Sequence, residues 1–222
     1  MGFKIIAIDG PTGVGKSTIA RQLAGKLGSF YVDTGAMFRC LAWYWGKQGC
    51  PESDELLEEL CEETRIVFKA ESVICNDTDV TEEIRKESIS SLASKISTFP
   101  LVREVMKKQQ RMLVEEVRRS GSYQGAVLEG RDIGTVVFPK ADFKFYVDAS
   151  AEIRAKRRLL QLQECGEDAN FVEILAALNK RDYQDQNRKV APLRAAEDAV
   201  IVDTGNLSAT EVLEHLVACV GE

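Results

Sequence analysis

The sequence predicts a three-layer α/β fold in which a central parallel β-sheet is covered by helices on both faces. Short hydrophobic runs rich in Val, Ile and Phe alternate with longer segments of helical apolar spacing along most of the chain. The first run, KIIAID at residues 4–9, leads directly into a glycine-rich turn and then a helix. With 222 residues, of which 45% are apolar, the chain can bury one substantial core, so we expect a single domain over residues 1–222.

The expected elements alternate along the chain. The predicted strands are residues 4–9, 30–33, 126–129, 143–148 and 199–203. The predicted helices are residues 16–27, 34–49, 100–119, 151–165 and 171–189, and a last one that begins at Ser208. Because helices separate most of the strands, we expect the strands to be parallel, and such sheets bind ligands at the carboxyl ends of their strands.

Residues 65–97 differ in character from the rest of the chain. Two short apolar runs, RIVFKA at 65–70 and SVICN at 72–76, predict a small hairpin. Polar, Ser-rich segments with helical spacing follow them. We interpret this region as an insert in the α/β core.

The composition excludes several classes of protein. The formal net charge is -6 and no basic block or basic helix face is present, so we expect no nucleic acid polymer as a partner. No stretch approaches the ~18 apolar residues of a membrane helix, and the run after Met1 is too short for a signal peptide. The six cysteines form no CxxC pair, which favours reduced thiols in the cytoplasm over a zinc site. No long exposed apolar face is predicted, so we expect a monomer.

Residues 10–18, GPTGVGKST, contain the pattern G-x-x-x-x-G-K-[ST], which is the P-loop of nucleotide-binding proteins. In this motif backbone N–H groups and the N-terminus of the following helix surround phosphates. Lys16 is expected to reach the β- and γ-phosphates of ATP, and the Ser17 hydroxyl to bind Mg²⁺. The alternative, a glycine turn without a ligand, is disfavoured by the strand before it and the helix after it. The predicted ATP-binding residues are Gly10, Pro11, Thr12, Gly13, Val14, Gly15, Lys16, Ser17 and Thr18.

A P-loop alone does not separate a kinase from a switch GTPase. Residues 179–182 spell NKRD, which fits the NKxD with which GTPases bind guanine. That motif normally follows a buried strand, whereas this one lies within a segment of helical spacing. No DxxG switch motif accompanies it, so the sequence favours a kinase of the P-loop NTPase fold.

Two helices carry clusters of arginines. Arg181, Asp185 and Arg188 fall at i, i+4 and i+7, so they project from one face of a predicted helix. Alone they are typical of a solvated salt-bridge ladder, but beside a P-loop the two arginines become candidates for phosphate binding. The preceding helix adds a second cluster, for which ordinary exposed charge is the alternative. Its members are Arg154, Arg157 and Arg158.

Two short motifs follow predicted strands. Residues 130–132, Gly-Arg-Asp, come just after the strand at 126–129, on the side of the sheet where ligands bind. Thr34 stands at a helix start with Arg39 one turn further on, an arrangement that suits an anion. The alternatives are a turn with an exposed ion pair for the first motif and a plain helix cap for the second.

The only histidine, His215, lies among charged neighbours on the last helix and is expected at the surface. Nucleophilic mechanisms of the Ser/His or Cys/His type therefore have no base. Phosphoryl transfer to a phosphate acceptor needs none, because the acceptor is already ionised.

Taken in order, six segments resemble those of bacterial cytidylate kinases along nearly the whole chain. They are GPTGVGKST, VDTGAMFR, TFPLVRE, EGRDIGTVVFP, RAKRRLLQLQE and KRDYQDQNRKVAPL. Adenylate kinases share the loop and the lid but lack the GRDIGTVVFP and RDxxDxxR segments. Glu129 stands where this family usually has Asp, and Thr34 where Ser is common; both keep the functional group.

The resemblance implies transfer of the γ-phosphate of ATP, with Mg²⁺, to CMP or dCMP. It implies a CMP-binding region at 34–98 with an insert near 63–98, and a lid at 155–170. Residues implied near the CMP phosphate are Thr34, Arg39, Arg131 and Arg188; Asp185 and Arg181 lie near the sugar or the transferred group, and Ser94, Arg103 and Asp132 at the cytosine. The expected catalytic residues are Lys16, Arg131, Arg157, Arg181 and Arg188, and Arg154 and Arg158 are expected to bind ATP.

Two alternatives remain open from the sequence. One is a P-loop kinase for another small acceptor, such as a different nucleotide or a sugar acid. The other is a nucleotide-dependent switch protein, against which the missing DxxG and the helical NKRD argue.

Overall fold

A computed structural model describes residues 2–69, 72–164, 166 and 168–221. The chain falls into two compact units, of which the first is Met1–Val32 with Val114–Glu222 and the second is Asp33–Leu113. The strands are β1 (Lys4–Asp9), β2 (Phe30–Asp33), β3 (Ile66–Lys69), β4 (Ser72–Cys75), β5 (Thr78–Asp79), β6 (Gly125–Gly130), β7 (Phe143–Asp148) and β8 (Val200–Asp203). The helices are α1 (Lys16–Lys26), α2 (Thr34–Lys47), α3 (Asp54–Glu63), α4 (Glu87–Ile96), α5 (Pro100–Ser120), α6 (Ala151–Glu164), α7 (Phe171–Asn187) and α8 (Ala209–Gly221).

The first unit contains a five-stranded sheet in the order β2-β6-β1-β7-β8. β1 pairs in parallel with both β6 and β7, and β7 pairs in parallel with β8. Every residue of β6 is buried, as expected for a central strand that helices cover on both faces. The predicted three-layer α/β fold is confirmed.

The core of this unit joins the sheet to α1 and α8. Ile6 and Ile8 of β1 and Val127 of β6 pack in one buried cluster with Leu23 of α1 and Leu216 of α8. Each of these side chains is apolar and almost fully enclosed. This packing fixes the carboxyl end of β1, from which the glycine-rich loop departs.

The second unit contains an antiparallel sheet in the order β3-β4-β5. Ile66 pairs with Cys75 and Lys69 with Ser72, so the predicted hairpin is confirmed. Its buried cluster combines Cys40 and Trp43 of α2 with Cys75 of the hairpin.

Several element boundaries differ from the predicted ones. α7 ends at Asn187 rather than at residue 189, because Arg188 is extended with φ -64° and ψ 144°. The strand predicted at 126–129 begins and ends one residue further out, at Gly125 and Gly130. α3 and the two-residue strand β5 were not predicted. None of the described helices is both long enough and apolar enough to cross a membrane.

Candidate active site

The loop between β1 and α1 turns sharply at three glycines. Gly10, Gly13 and Gly15 have φ values of 154°, 83° and 93°, which residues with a side chain rarely adopt. At Gly10 an added Cβ would lie 2.0 Å from the carbonyl oxygen of Val147, so β7 leaves no room for a side chain there. Gly15 is the N-cap of α1 and has no side chain to cover the N-terminal N–H groups of that helix.

Lys16 lies in the first turn of α1 and is only 6% exposed. Its Nζ donates a hydrogen bond to the Pro11 carbonyl oxygen at 2.6 Å. Burial, with the nearby charge of Arg131, lowers the pKa of Lys16 to about 7, although Glu129 and other carboxylates oppose the shift. An anion in the loop would therefore meet an amine whose positive charge it can stabilise.

This loop fits the phosphates of a nucleotide. Open N–H groups at a helix N-terminus, a cramped glycine turn and a buried lysine are the features that bind polyphosphate. Ser17 and Thr18 are exposed beside them. Among the described residues no group of three or more His, Cys, Asp or Glu side chains could hold a metal ion. A Mg²⁺ ion here would take the Ser17 hydroxyl and phosphate oxygens as ligands, as is usual for this cation.

Arg131 follows the last residue of β6 and links three parts of the first unit. Its Nε donates to Asp185 Oδ2 of α7 at 2.9 Å. Its Nη2 donates to the Thr12 hydroxyl in the glycine-rich loop. The structure thus brings Arg131 together with the P-loop and with the charged face of α7.

Asp132 and Arg188 complete a cluster of alternating charges with Arg131 and Asp185. Arg188 Nη2 lies 3.7 Å from Asp132 Oδ1, and its Nη1 lies 3.8 Å from Asp185 Oδ1. Arg188 Nε also donates to the Ala191 carbonyl oxygen, which fixes the side chain just beyond the helix. We call Arg131, Asp132, Asp185 and Arg188 the charge cluster.

Neighbouring arginines keep Asp185 ionised. Burial by itself would raise the pKa of Asp185, but Arg131, Arg188 and Arg181 together hold it below its usual range. The ladder predicted for Arg181, Asp185 and Arg188 is therefore not an ordinary solvated one, because Asp185 is only 9% exposed.

Asp9, the last residue of β1, belongs to the same region and was missed by the sequence analysis. It is 4% exposed, and its oxygens accept hydrogen bonds from the backbone N–H groups of Ile133 and Gly134. Burial raises the pKa of Asp9 to about 6 against the effect of these two bonds. A carboxylate at the end of a buried strand, directly before a glycine loop, was the available signal.

The arginines of α6 have different surroundings. Arg154 is buried and donates through Nε to the Ala149 carbonyl, through Nη1 to the Thr12 carbonyl, and through both Nη groups to Asp182. The alternative of ordinary exposed charge is therefore wrong for Arg154. Arg157 bonds the hydroxyl and the carbonyl oxygen of Thr204, just after β8, and Arg158 is exposed.

Four of the expected substrate-binding residues lie in the second unit. Thr34 is the first residue of α2 and is buried, while the N-cap is Asp33, which accepts a bond from the Ala36 N–H and pairs with Arg39 at 3.0 Å. Ser94 is a half-buried residue of α4.

Arg103, on α5, is buried as well. It stacks over the Phe38 ring at 5.5 Å and donates to the Ser97 carbonyl oxygen at 3.3 Å. Ser97 in turn donates its hydroxyl hydrogen to the Ser94 carbonyl. The structure thus links Arg103 to the end of α4 that carries Ser94.

Two further expectations concern residues 179–182 and His215. Residues 179–182, NKRD, lie within α7, so the helical interpretation that argued against a GTPase is confirmed. His215 is exposed on α8, as predicted.

Comparison with known proteins identifies the family. A family model described as cytidylate kinase matches residues 6–222. The cytidylate kinase of Geobacter sulfurreducens is 45% identical over 98% of this chain and 93% of its own length. That of Thermosipho melanesiensis is 44% identical over 98% of this chain and 96% of its own. The solved structure of TT1252 from Thermus thermophilus is similar in fold, with a TM-score of 0.52 at 20% identity over 99% of this chain and 97% of its own. This chain belongs to the cytidylate kinase family.

Proposed function

We propose that this protein transfers the γ-phosphate of ATP to the phosphate of CMP or dCMP, giving ADP and CDP or dCDP. Family membership over residues 6–222 is the observation that carries the proposal. The charge cluster next to the P-loop supports it, because Arg131 touches both Thr12 of the loop and Asp185 of α7. The enzyme is thus a kinase whose acceptor is itself a phosphate group.

The cationic side chains supply the chemistry. Phosphoryl transfer depends on positioning and on stabilising charge at the oxygens of the transferred group, and it needs no general base when the acceptor is an ionised phosphate. Lys16 is suited to the β- and γ-phosphates, and Arg131 and Arg188 to the acceptor phosphate. Arg157 and Arg181 are proposed to add positive charge around the transferred group. Arg154 and Arg158 are proposed to bind ATP.

Mg²⁺, held by the Ser17 hydroxyl and by the nucleotide, would neutralise charge on the phosphate oxygens. The exposure of Ser17 in the first turn of α1 supports this assignment.

Recognition of the base is assigned to three side chains. Cytosine presents an N4 amino donor and acceptors at N3 and O2, whereas uracil presents an acceptor at O4 and a donor at N3. Asp132, a buried carboxylate, is suited to accept a hydrogen bond from N4. Arg103 and Ser94 are donors suited to N3 and O2. Thr34 and Arg39 are assigned to the CMP phosphate, within a CMP-binding region at 34–98 that includes an insert near 63–98.

A lid over ATP is proposed at 155–170, which would exclude water from the reacting phosphates. Residues 165 and 167 of this range lie outside the described residues. Hydrogen exchange across α6 and the start of α7 should slow when a bisubstrate analogue binds. Unchanged exchange in both helices would rule the lid out.

We propose that the protein acts as a monomer in the cytoplasm, with only small-molecule partners. The five cysteines described as free thiols suit a reducing compartment. Sedimentation equilibrium that gives a stable dimer would contradict the monomer.

An acceptor panel tests the function. Initial rates with Mg-ATP are measured for CMP, dCMP, UMP, AMP and shikimate, with CMP and dCMP expected to lead. Lys16→Met should abolish the rate, which excludes a contaminating kinase, and Lys26→Met, an exposed lysine at the end of the same helix, should leave it unchanged. A higher rate with AMP or shikimate than with CMP would overturn the proposal.

A further inference from the structure

A single turn of π-helix, Ile133–Val137, directly follows Arg131 and Asp132. The N–H groups of Val136 and Val137 both bond the Asp132 carbonyl oxygen, at 2.9 and 3.1 Å. Asp132 itself has φ -146° and ψ 24°, which is neither strand nor helix. The backbone that sets the direction of the Asp132 side chain is therefore irregular and needs support from elsewhere.

The first N–H groups of a helical turn have no partner within it. Here the carboxylate of Asp9, on the neighbouring strand, accepts hydrogen bonds from the first two of them. Oδ1 accepts from the Ile133 N–H at 2.9 Å, and Oδ2 accepts from the Gly134 N–H at 2.7 Å. Hydrogen bonds to an ionised acceptor are among the stronger ones in proteins.

We propose that Asp9 is a positioning residue that orients Arg131 and Asp132 by holding the turn after them against the end of β1. The β1–β6 register places Asp9 opposite Gly130, the residue before Arg131. Arg131 and Asp132 are thus held on one side by the hydrogen-bonded pairing of β1 with β6, and on the other by the two hydrogen bonds that Asp9 accepts. The kinetic consequences of this inference rest on the proposed function.

The turn has little room to shift. A Cβ added to Gly134 would lie 3.2 Å from Lys144 Cδ and 3.5 Å from Asp9 Oδ2. Lys144, which is 7% exposed, also donates to the Pro139 carbonyl oxygen at 2.6 Å and to Asp198. Asp9 and Lys144 therefore hold the two ends of the segment from residue 133 to residue 139.

A purely structural role would predict lower stability alone, whereas positioning also predicts a selective kinetic defect. The described hydrogen bonds of the Asp9 carboxylate both go to the turn, and its charge acts on Lys16 of the P-loop only as one of the smaller influences on that lysine. Loss of the Asp9 carboxylate should therefore weaken the use of CMP, which the charge cluster is proposed to bind, far more than the binding of the nucleotide in the P-loop.

The test uses Asp9→Asn, which keeps the shape but turns an NH₂ group towards one of the two N–H donors. Hydrogen exchange should become faster in peptides that cover residues 131–139 and stay unchanged in those that cover β7. The kcat/KM for CMP should fall on the order of tenfold to a hundredfold, as small displacements in active sites typically cause. The dissociation constant of ADP should change much less.

Asp142→Asn is the matched control. Asp142 also gives a carboxylate oxygen to a backbone N–H of β1, that of Ile5 at 2.7 Å, but at the opposite end of the strand. In the Asp142→Asn variant, hydrogen exchange at residues 131–139 and the KM for CMP should equal those of the wild type. If Asp9→Asn fails to fold, Gly134→Ala disturbs the same turn by placing a methyl group against Lys144 and Asp9, and it should give the same kinetic pattern.

Two results would overturn the inference. One is wild-type hydrogen exchange at 131–139 in Asp9→Asn, and the other is a CMP defect no larger than that of Asp142→Asn. A wild-type enzyme that is inactive with CMP would instead refute the proposed function. The exchange measurement would then still decide whether Asp9 holds the turn.

Discussion

At the scale of single residues, Lys16 and Ser17 are the side chains on which turnover depends most directly. Lys16→Ala removes a positive charge and Ser17→Ala removes a proposed ligand of Mg²⁺. Each should reduce kcat a hundredfold or more, since loss of one contact that stabilises transition-state charge costs roughly 3 kcal/mol. Both variants should melt cooperatively like the wild type, because neither side chain belongs to the apolar core. Circular dichroism melts with initial rates check this, and a broad, non-cooperative transition would count against the assignment.

The lowered pKa of Lys16 predicts a coupling between nucleotide binding and protons. With a folded-state pKa of about 7 against an ordinary 10.5, Lys16 is largely neutral at alkaline pH, and stability contributed by this group rises between those two values. Bound phosphates favour the ammonium form, so binding of ATP at about pH 8.5 should take up protons.

Calorimetry in buffers of different ionisation enthalpy measures this uptake. In Lys16→Met this proton uptake should disappear. If the variant binds ATP too weakly to measure, the comparison between variant and wild type is made with ADP. An equal uptake in the variant would assign the proton to another group.

The role of Asp132 is tested by replacing its carboxylate with an amide. Asp132→Asn should lower kcat/KM for CMP and narrow the advantage of CMP over UMP, because the NH₂ group can donate to uracil O4. Arg103→Met should weaken use of CMP and leave ATP binding unchanged. If Asp132→Asn reduces both substrates by the same factor, Asp132 has a general role and does not recognise the base.

At the scale of elements, Arg154 joins α6, α7 and the P-loop through buried bonds. Its guanidinium pairs with Asp182 of α7 and donates to the Thr12 carbonyl at 2.9 Å. Arg154→Met should destabilise the protein by about 3–5 kcal/mol, because Asp182 keeps a largely buried charge without its partner. The double variant with Asp182→Leu should regain part of that loss. Urea unfolding measures both, and a double variant less stable than Arg154→Met would contradict the buried pair.

Periodicity predicted most elements because their apolar residues face a common core. The strands of the large sheet and the hairpin were predicted to within a residue at most ends. The helix α3 was overlooked although its signals are present. Ser53 caps it through the Leu56 N–H, and Leu57, Leu60 and Cys61 form its buried face. Its acidic residues obscured that spacing.

The π-helical turn at Ile133–Val137 could not be predicted from local sequence. It depends on Asp9, more than a hundred residues away in the chain, and on Lys144 across the sheet. In the same way, motif and spacing selected Arg154, but only the fold shows that its nitrogens bond protein acceptors. The types of residue found near a P-loop motif are enough to predict a site. The hydrogen-bond partners of those residues could not be predicted, because tertiary packing determines them.

At the scale of the whole molecule, the chain forms two compact units that differ in content. The first carries the P-loop, the charge cluster and Asp9, and the second carries Thr34, Arg39, Ser94 and Arg103. The resemblance to cytidylate kinases implies an insert near 63–98, and that range lies within the second compact unit, Asp33–Leu113.

As a kinase, the whole molecule should pass the γ-phosphate of ATP to CMP and not to water. The most direct measurement follows the label of γ-labelled ATP into CDP and into inorganic phosphate, with Mg²⁺ and saturating CMP. Nearly all of the label should appear in CDP, in a one-to-one ratio with ADP, and hydrolysis without CMP should be slow. Label that accumulates mainly as inorganic phosphate, at a rate indifferent to CMP, would contradict it.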